Sequence, residues 1–168
     1  MSQRKFTVLG TASQVPTRDR NHNGYFLKWD SEGFLFDPGE GTQRQLTSAG
    51  ISCSKITKIF ITHFHGDHCL GLPGVLQRLS LDKVKHKVKI FYPASGQKFL
   101  NNLKNASIYR NNIEIEENPI DKGGEIFSNS KIVITAKKLS HSAESFGYRI
   151  EEKSYFSMDS VKISKGGI

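Results

Sequence analysis

An apolar run, Ile59-Phe60-Ile61, ends directly in Thr62-His63-Phe64-His65-Gly66-Asp67-His68. Three histidines and a carboxylate within six positions constrain this chain more than any other stretch. The run reads as a buried strand that stops where polar side chains must meet. On an extended segment His63 and His65 point the same way. Asp67 and His68 lie beyond the turning Gly66, so they can face a second position nearby. Imidazole nitrogen and carboxylate oxygen are the donors that zinc takes. The spacing suits two metal ions roughly 3.5–4 Å apart that share a water molecule.

Further stretches join this one. Residues 6–16 read FTVLGTASQVP, followed by Thr17-Arg18-Asp19-Arg20-Asn21. Leu35-Phe36-Asp37-Pro38-Gly39-Glu40-Gly41-Thr42-Gln43, Gly71-Leu72-Pro73-Gly74, His141-Ser142 and Gly147-Tyr148-Arg149-Ile150 complete the set. His-x-His-x-Asp-His is the pattern of the metallo-β-lactamase superfamily. With the Gly-Glu-Gly-Thr-Gln and Pro-Thr-Arg-Asp-Arg-Asn segments, the chain resembles the N-terminal half of the ribonuclease Z family, which removes the 3′ trailer from precursor tRNA.

The resemblance implies an α/β chain forming roughly the first half of an αββα sandwich. In that fold each half supplies a sheet and outer helices, and the metals sit at the rim between the sheets. His63, His65 and His141 would bind one zinc, and Asp67 and His68 would contribute to the other. Asp67 resembles the catalytic aspartate that orients water and takes its proton. Asp37 resembles the carboxylate that fixes the tautomer of a ligand imidazole. Arg18, Arg20 and Asn21 match the loop that lies near the tRNA 3′ end. Precursor tRNA is the implied substrate, a 3′-hydroxyl the implied product, and a homodimer the implied assembly of the complete enzyme. Gly39-Glu40-Gly41 opens an expected helix, where it could approach phosphate or serve only a tight turn.

The match also has gaps. The family uses a bridging aspartate, a further zinc-binding histidine and a histidine that protonates the leaving group. No histidine follows His141, and the one later aspartate, Asp159, sits in Ser157-Met158-Asp159-Ser160 without the family's glycine-flanked setting. Residues 157–168 read as the start of the tRNA-binding arm. Residues 1–168 alone are therefore expected to hold at most about one zinc, because two protein ligands make no secure second site, and to be catalytically inert. Two other readings use the same residues. One is another metallo-β-lactamase-like hydrolase of a phosphodiester or thioester. The other is a non-catalytic RNA-binding remnant.

A length of 168 residues predicts one domain, here 1–168. No apolar run approaches the roughly 20 residues of a membrane span. Cys53 and Cys69 are too few for a disulfide framework and read as reduced core residues, which with the missing signal-peptide core places the chain in the cytosol. Cys69 follows the ligand cluster, yet a buried thiol is the simpler reading. A net charge of +8 favours polyanions. Lys83, Lys85, Lys87 and Lys89 alternate as they would on an edge strand. His22 reads as a surface or RNA-side residue and His86 as solvated.

Strands are expected at residues 5–10, 25–29 and 34–37, the last two as a hairpin around Ser31-Glu32-Gly33. Further strands fall at 56–62, 87–92, 113–117, 124–127, 131–138 and 145–152, with helices at 42–49, 70–81 and 95–105. A sheet from this half alone would leave one apolar face without its partner, a liability in water and a route to self-association.

Overall fold

The computed structural model describes residues 3–154; the expected arm at 157–168, with Asp159, lies outside them. Six strands form the larger sheet: β1 (Arg4–Gly10), β2 (Gly24–Trp29), β3 (Glu32–Phe36), β4 (Lys58–Phe60), β5 (Val88–Pro93) and β6 (Ile115–Ile120). They lie side by side in chain order. β1 to β3 pair antiparallel, and β3 to β6 pair parallel. A second, antiparallel sheet holds β7 (Gly124–Ser128), β8 (Ile132–Leu139) and β9 (Ser145–Glu152). The helices are α1 (Thr42–Ser48), α2 (Gly66–Cys69), α3 (Leu72–Leu81) and α4 (Gln97–Lys104).

α3 shows why the helices sit where they do. Leu72, Val75, Leu76 and Leu79 recur on one helical face, and all four are fully buried. They pack with Leu35, Ile59 and Ile90 of the large sheet, with Ile61 just past β4 and with Leu100 of α4. Gly71 precedes the helix, and Pro73 occupies its first turn, where no intrahelical donor is lost.

The opposite face of this sheet departs from the expectation of a bare surface. Phe34, Phe60 and Phe91 point there and form one core with Ile120, Ile132, Ile134, Ala136 and Phe146. The chain itself thus supplies both sheets of a sandwich, because β7–β9 fold back over β3–β5. Phe60 stacks between Phe36 and Phe91, each 4.9 Å away between ring centroids. Full burial of such a ring contributes about 2–3 kcal/mol. What stays open is the β1 end, where Phe6 and Val8 are 59% and 53% exposed. Arg4 spans that end, stacking on Trp29 and pairing with Glu152 of β9.

Other expectations shift for identifiable reasons. Of the four alternating lysines only Lys89 lies in a strand, and that strand is not an edge: β6 lies outside β5. Lys89 faces Glu116 across that pair, and Lys87 reaches Glu114 and Glu116 at 3.0 and 3.3 Å. The true edge strand, β6, runs on through Pro119, which an edge tolerates because one side of it forms no ladder. β4 has three residues rather than seven, since the chain turns away at Ile61 to present the ligand loop. The β2–β3 turn is Asp30-Ser31, with Asp30 at φ 53°.

Candidate metal centre

The ligand loop leaves β4 at the sheet's end. Asp37, just past β3, donates its backbone N–H to Phe60 O at 2.9 Å. Its carboxylate accepts from Thr62 N at 2.7 Å, from Thr62 Oγ1 at 2.9 Å and from His68 Nδ1 at 3.0 Å. These bonds hold Asp37 at φ 44°, a conformation that non-glycine residues adopt only when their surroundings enforce it. Thr62 Oγ1 in turn lies 2.9 Å from His63 Nδ1. Nδ1–H of His63 donates to this hydroxyl, which leaves Nε2 as a lone pair facing the cavity. α2 is one turn long, and that turn aims Asp67 and His68 inward.

His141 comes from the β8–β9 connection. β9 is pinned to the ligand loop by Phe146 N donating to Thr62 O at 3.0 Å and Tyr148 Oη donating to Ile61 O at 2.7 Å. The two motifs, some seventy residues apart, meet through these bonds.

His63 Nε2 stands 3.0 Å from His65 Nδ1, and His141 Nε2 stands 3.3 Å from the same atom. Donors placed 2.0–2.1 Å from a tetrahedral ion lie ~3.3–3.4 Å apart, so the three nitrogens already approximate the edges of such a site. They form a group that could hold a metal ion. Burial, then the neighbouring His68 and His65, lower the pKa of His63 to about 4. It is therefore neutral and able to donate a lone pair.

Beside this group His68 Nε2 lies 3.3 Å from Asp67 Oδ2. Asn23 Nδ2 is 3.2 Å from His68 Nε2 and 3.5 Å from Asp67 Oδ2. Tyr25 Oη donates to Asn23 Oδ1 at 3.3 Å. Burial opposes charge on His68, but the hydrogen bond it donates to Asp37 and the charges of Asp37 and Asp67 outweigh it and raise its pKa. Both groups open into one cavity of about 560 Å³, bounded by Ser13, Gln14 and Tyr25 on one side and by Leu139 to Ser142 on the other.

A family model described as Anti-Pycsar protein Apyc1 matches residues 4–165. The chain belongs to this family. Its curated relatives are named ribonuclease Z, as the sequence resemblance anticipated: that of Nocardia farcinica is 55% identical over 153 residues, 90% of this chain and 50% of its own length. The chain spans about half the length of the curated relatives it matches. Human tRNase Z, short form, superposes with a TM-score of 0.80 at 30% identity, over 90% of this chain and 64% of that one. YhfI of Bacillus subtilis, a metallo-β-lactamase fold protein, gives 0.68 at 18% identity, over 88% and 57%. The fold is a partial metallo-β-lactamase fold.

Its glycine-rich turn serves close packing. A Cβ on Gly39 would stand 2.2 Å from Asp67 O, so only glycine lets this turn lie against the ligand loop. Asn21 is committed within the chain, where Nδ2 donates to Glu40 O at 2.7 Å. Arg18 and Arg20 are exposed. His22 is buried rather than on the surface, with Nε2 3.2 Å from Gln14 O. His86 is exposed, yet its Nε2 reaches Ile56 O at 2.8 Å. Cys69 is buried, and its thiol donates to His65 O at 3.2 Å. Burial, with Asp37 and Asp67 nearby, pushes that thiol up to about 12, so it carries no thiolate for a metal. Thr62, Asn23, Tyr25 and Tyr148 shape the site without having stood out in the sequence as parts of it.

Proposed function

We propose that residues 1–168 form one domain carrying the first-half ligand set of a zinc-dependent endoribonuclease that removes the 3′ trailer of precursor tRNA and leaves a 3′-hydroxyl. The observation that carries this is the convergence of three imidazole nitrogens from two distant motifs beside Asp67 and His68. Identity of 55% to a relative named ribonuclease Z supports the choice of substrate.

His63, His65 and His141 would hold one zinc through Nε2, Nδ1 and Nε2, and Asp67 and His68 would contribute to a second. When bound, such ions supply Lewis acidity toward a phosphodiester and acidify water. Asp67, 6% exposed at the cavity wall, orients the attacking water and accepts its proton. Asp37 keeps His68 turned with Nε2 to the cavity and, through Thr62, fixes the tautomer of His63. Arg18 and Arg20 meet the RNA near its 3′ end, with Asn21 holding their loop in place. The isolated chain is expected to be catalytically inert and to hold at most about one zinc, since Asp67 and His68 alone make no secure second site. Homodimer formation by the complete enzyme and a cytosolic location belong to the same proposal and rest on the resemblance. Among the described residues no helix is long and apolar enough to cross a membrane.

The experiment joins residues 1–168 to the remaining half of the Nocardia farcinica relative and assays cleavage of precursor tRNA. The wild-type chimera cleaves at the trailer junction, and Asp67→Ala removes cleavage while RNA binding persists. Full cleavage by the Asp67→Ala chimera would refute the role given to Asp67. A wild-type chimera that hydrolyses a small phosphodiester but spares precursor tRNA would favour the alternative hydrolase reading, which the different name of the family model keeps in view.

A further inference from the structure

Residues 11–23 separate two hollows. Ser13, Gln14 and Asn23 line the metal-side cavity, whereas Pro16 to Asn21 line a second one of about 420 Å³. The far wall of that second hollow is α1, which contributes Arg44 and Gln45. Arg44 is remote from the basic loop in sequence and meets it only in the fold. Three arginines, Arg18, Arg20 and Arg44, therefore line one polar hollow, with Asp19 as the single acidic residue of its lining. Among the described residues Arg4, Arg78 and Arg149 form ion pairs, and these three arginines form none.

The hollow is also held in shape. Thr17 N donates to Arg20 O at 2.9 Å, and Thr17 Oγ1 accepts from Arg20 N at 3.0 Å. Asn21 O accepts from Thr11 N and Ala12 N, and Asn21 Nδ2 ties the loop to Glu40 O in the turn that opens α1. Loop and helix are thus one unit. Three like charges gathered around one hollow repel each other, and an anion placed among them relieves that repulsion. A guanidinium offers a planar fork that matches two phosphate oxygens.

We propose that this hollow is a phosphate subsite completed by Arg44, and that it holds a backbone phosphodiester of an RNA strand that crosses the loop to reach the metal centre. The proposal rests on the RNA-substrate reading above and adds a residue and a place to it. Arg44 is a binding residue, since it lines neither the metal-side cavity nor any contact of the ligand set.

The test measures binding of a fluorescein-labelled single-stranded oligoribonucleotide to the 168-residue chain by anisotropy over a series of salt concentrations. Each neutralised phosphate of a single strand contributes about 0.7 to the log–log salt slope. Arg44→Gln is expected to lower the slope by about that amount and to weaken binding about five- to tenfold at low salt. Arg44→Lys restores the slope and only part of the affinity, because it keeps the charge without the fork. Lys122→Gln removes an equal charge outside the hollow and serves as the control. Equal losses from Arg44→Gln and Lys122→Gln would mean diffuse attraction and would overturn the subsite. Wild-type binding that is absent or indifferent to salt would refute the RNA reading, and the subsite with it. Calorimetry with inorganic phosphate alone is expected to give no saturable heat. Saturable binding that Arg44→Gln removes would reassign the hollow to a free anion and overturn the strand assignment.

Discussion

His63, His65 and His141 reach one point from two segments of the chain, with donor atoms 3.0 and 3.3 Å apart. Asp67 and His68 face a neighbouring point, and among the described residues Asn23 alone joins them there through hydrogen bonds to both. One ligand group is closed and the other open, although Asp37 supports both. The closed group needs only the β4 loop and the β8–β9 connection, which Tyr148 and Phe146 lock together. The difference teaches that two distant segments can bring one cluster of donor atoms together while the neighbouring cluster keeps fewer partners.

The largest effect should come from the ligands. His63→Ala is expected to weaken zinc binding by more than about a hundredfold in competition with a chromophoric chelator, since three donors become two. His68→Ala should leave that affinity nearly unchanged. Equal losses would break the comparison and mean that the two groups bind as one. Asp37→Asn tests their shared support. Loss of an outer partner typically costs 10–100-fold in metal affinity, and the low end is expected here because Thr62 stands between Asp37 and His63.

A smaller, purely structural effect sharpens the comparison by separating fold from site. Lys58 is 4% exposed, lies 4.4 Å from the centre of the Phe127 ring and pairs with Glu32 at 2.7 Å. Burial alone would raise the Glu32 pKa, but its bonds with Lys58 and Thr57 hold the carboxyl below the usual range. A depressed carboxylate pKa contributes stability above the unfolded value, near 4.5, that is lost as pH falls through the folded value. Glu32→Gln should therefore lower unfolding stability by about 2 kcal/mol at neutral pH. The gap from wild type should close in acid, as read by urea titration at stepped pH. Zinc affinity at neutral pH should not move. If it falls with stability, the differences between the ligand groups reflect fold loosening.

Legibility in the sequence followed locality. Four of the five candidate ligand residues sit within six positions, so their spacing alone pointed to metal chemistry. Of the partners that orient them, Asp37 was named through the family resemblance, whereas Asn23 did not stand out, because it meets His68 across 45 residues. Most strands and α3 were readable from periodicity. The alternation of Lys83 to Lys89 was misleading for a physical reason: lysines that guard an open edge look in sequence like lysines that lead into an inner strand and pair with acids beside it, as Lys87 and Lys89 do. Pro119 likewise made β6 look shorter than an edge strand needs to be. The return of β7–β9 over the large sheet had no local sign, since Phe60 and Phe146 are apolar whatever covers them.

The most direct test is zinc stoichiometry with function. Residues 1–168, purified, saturated with zinc and freed of excess metal, would be analysed by mass spectrometry under native conditions and then assayed with precursor tRNA. About one zinc per chain, retained after His68→Ala and lost after His63→Ala, with no cleavage, is the expected result. Two tightly held zinc ions and cleavage at the trailer junction would contradict the account, because the open group would then be complete within this chain.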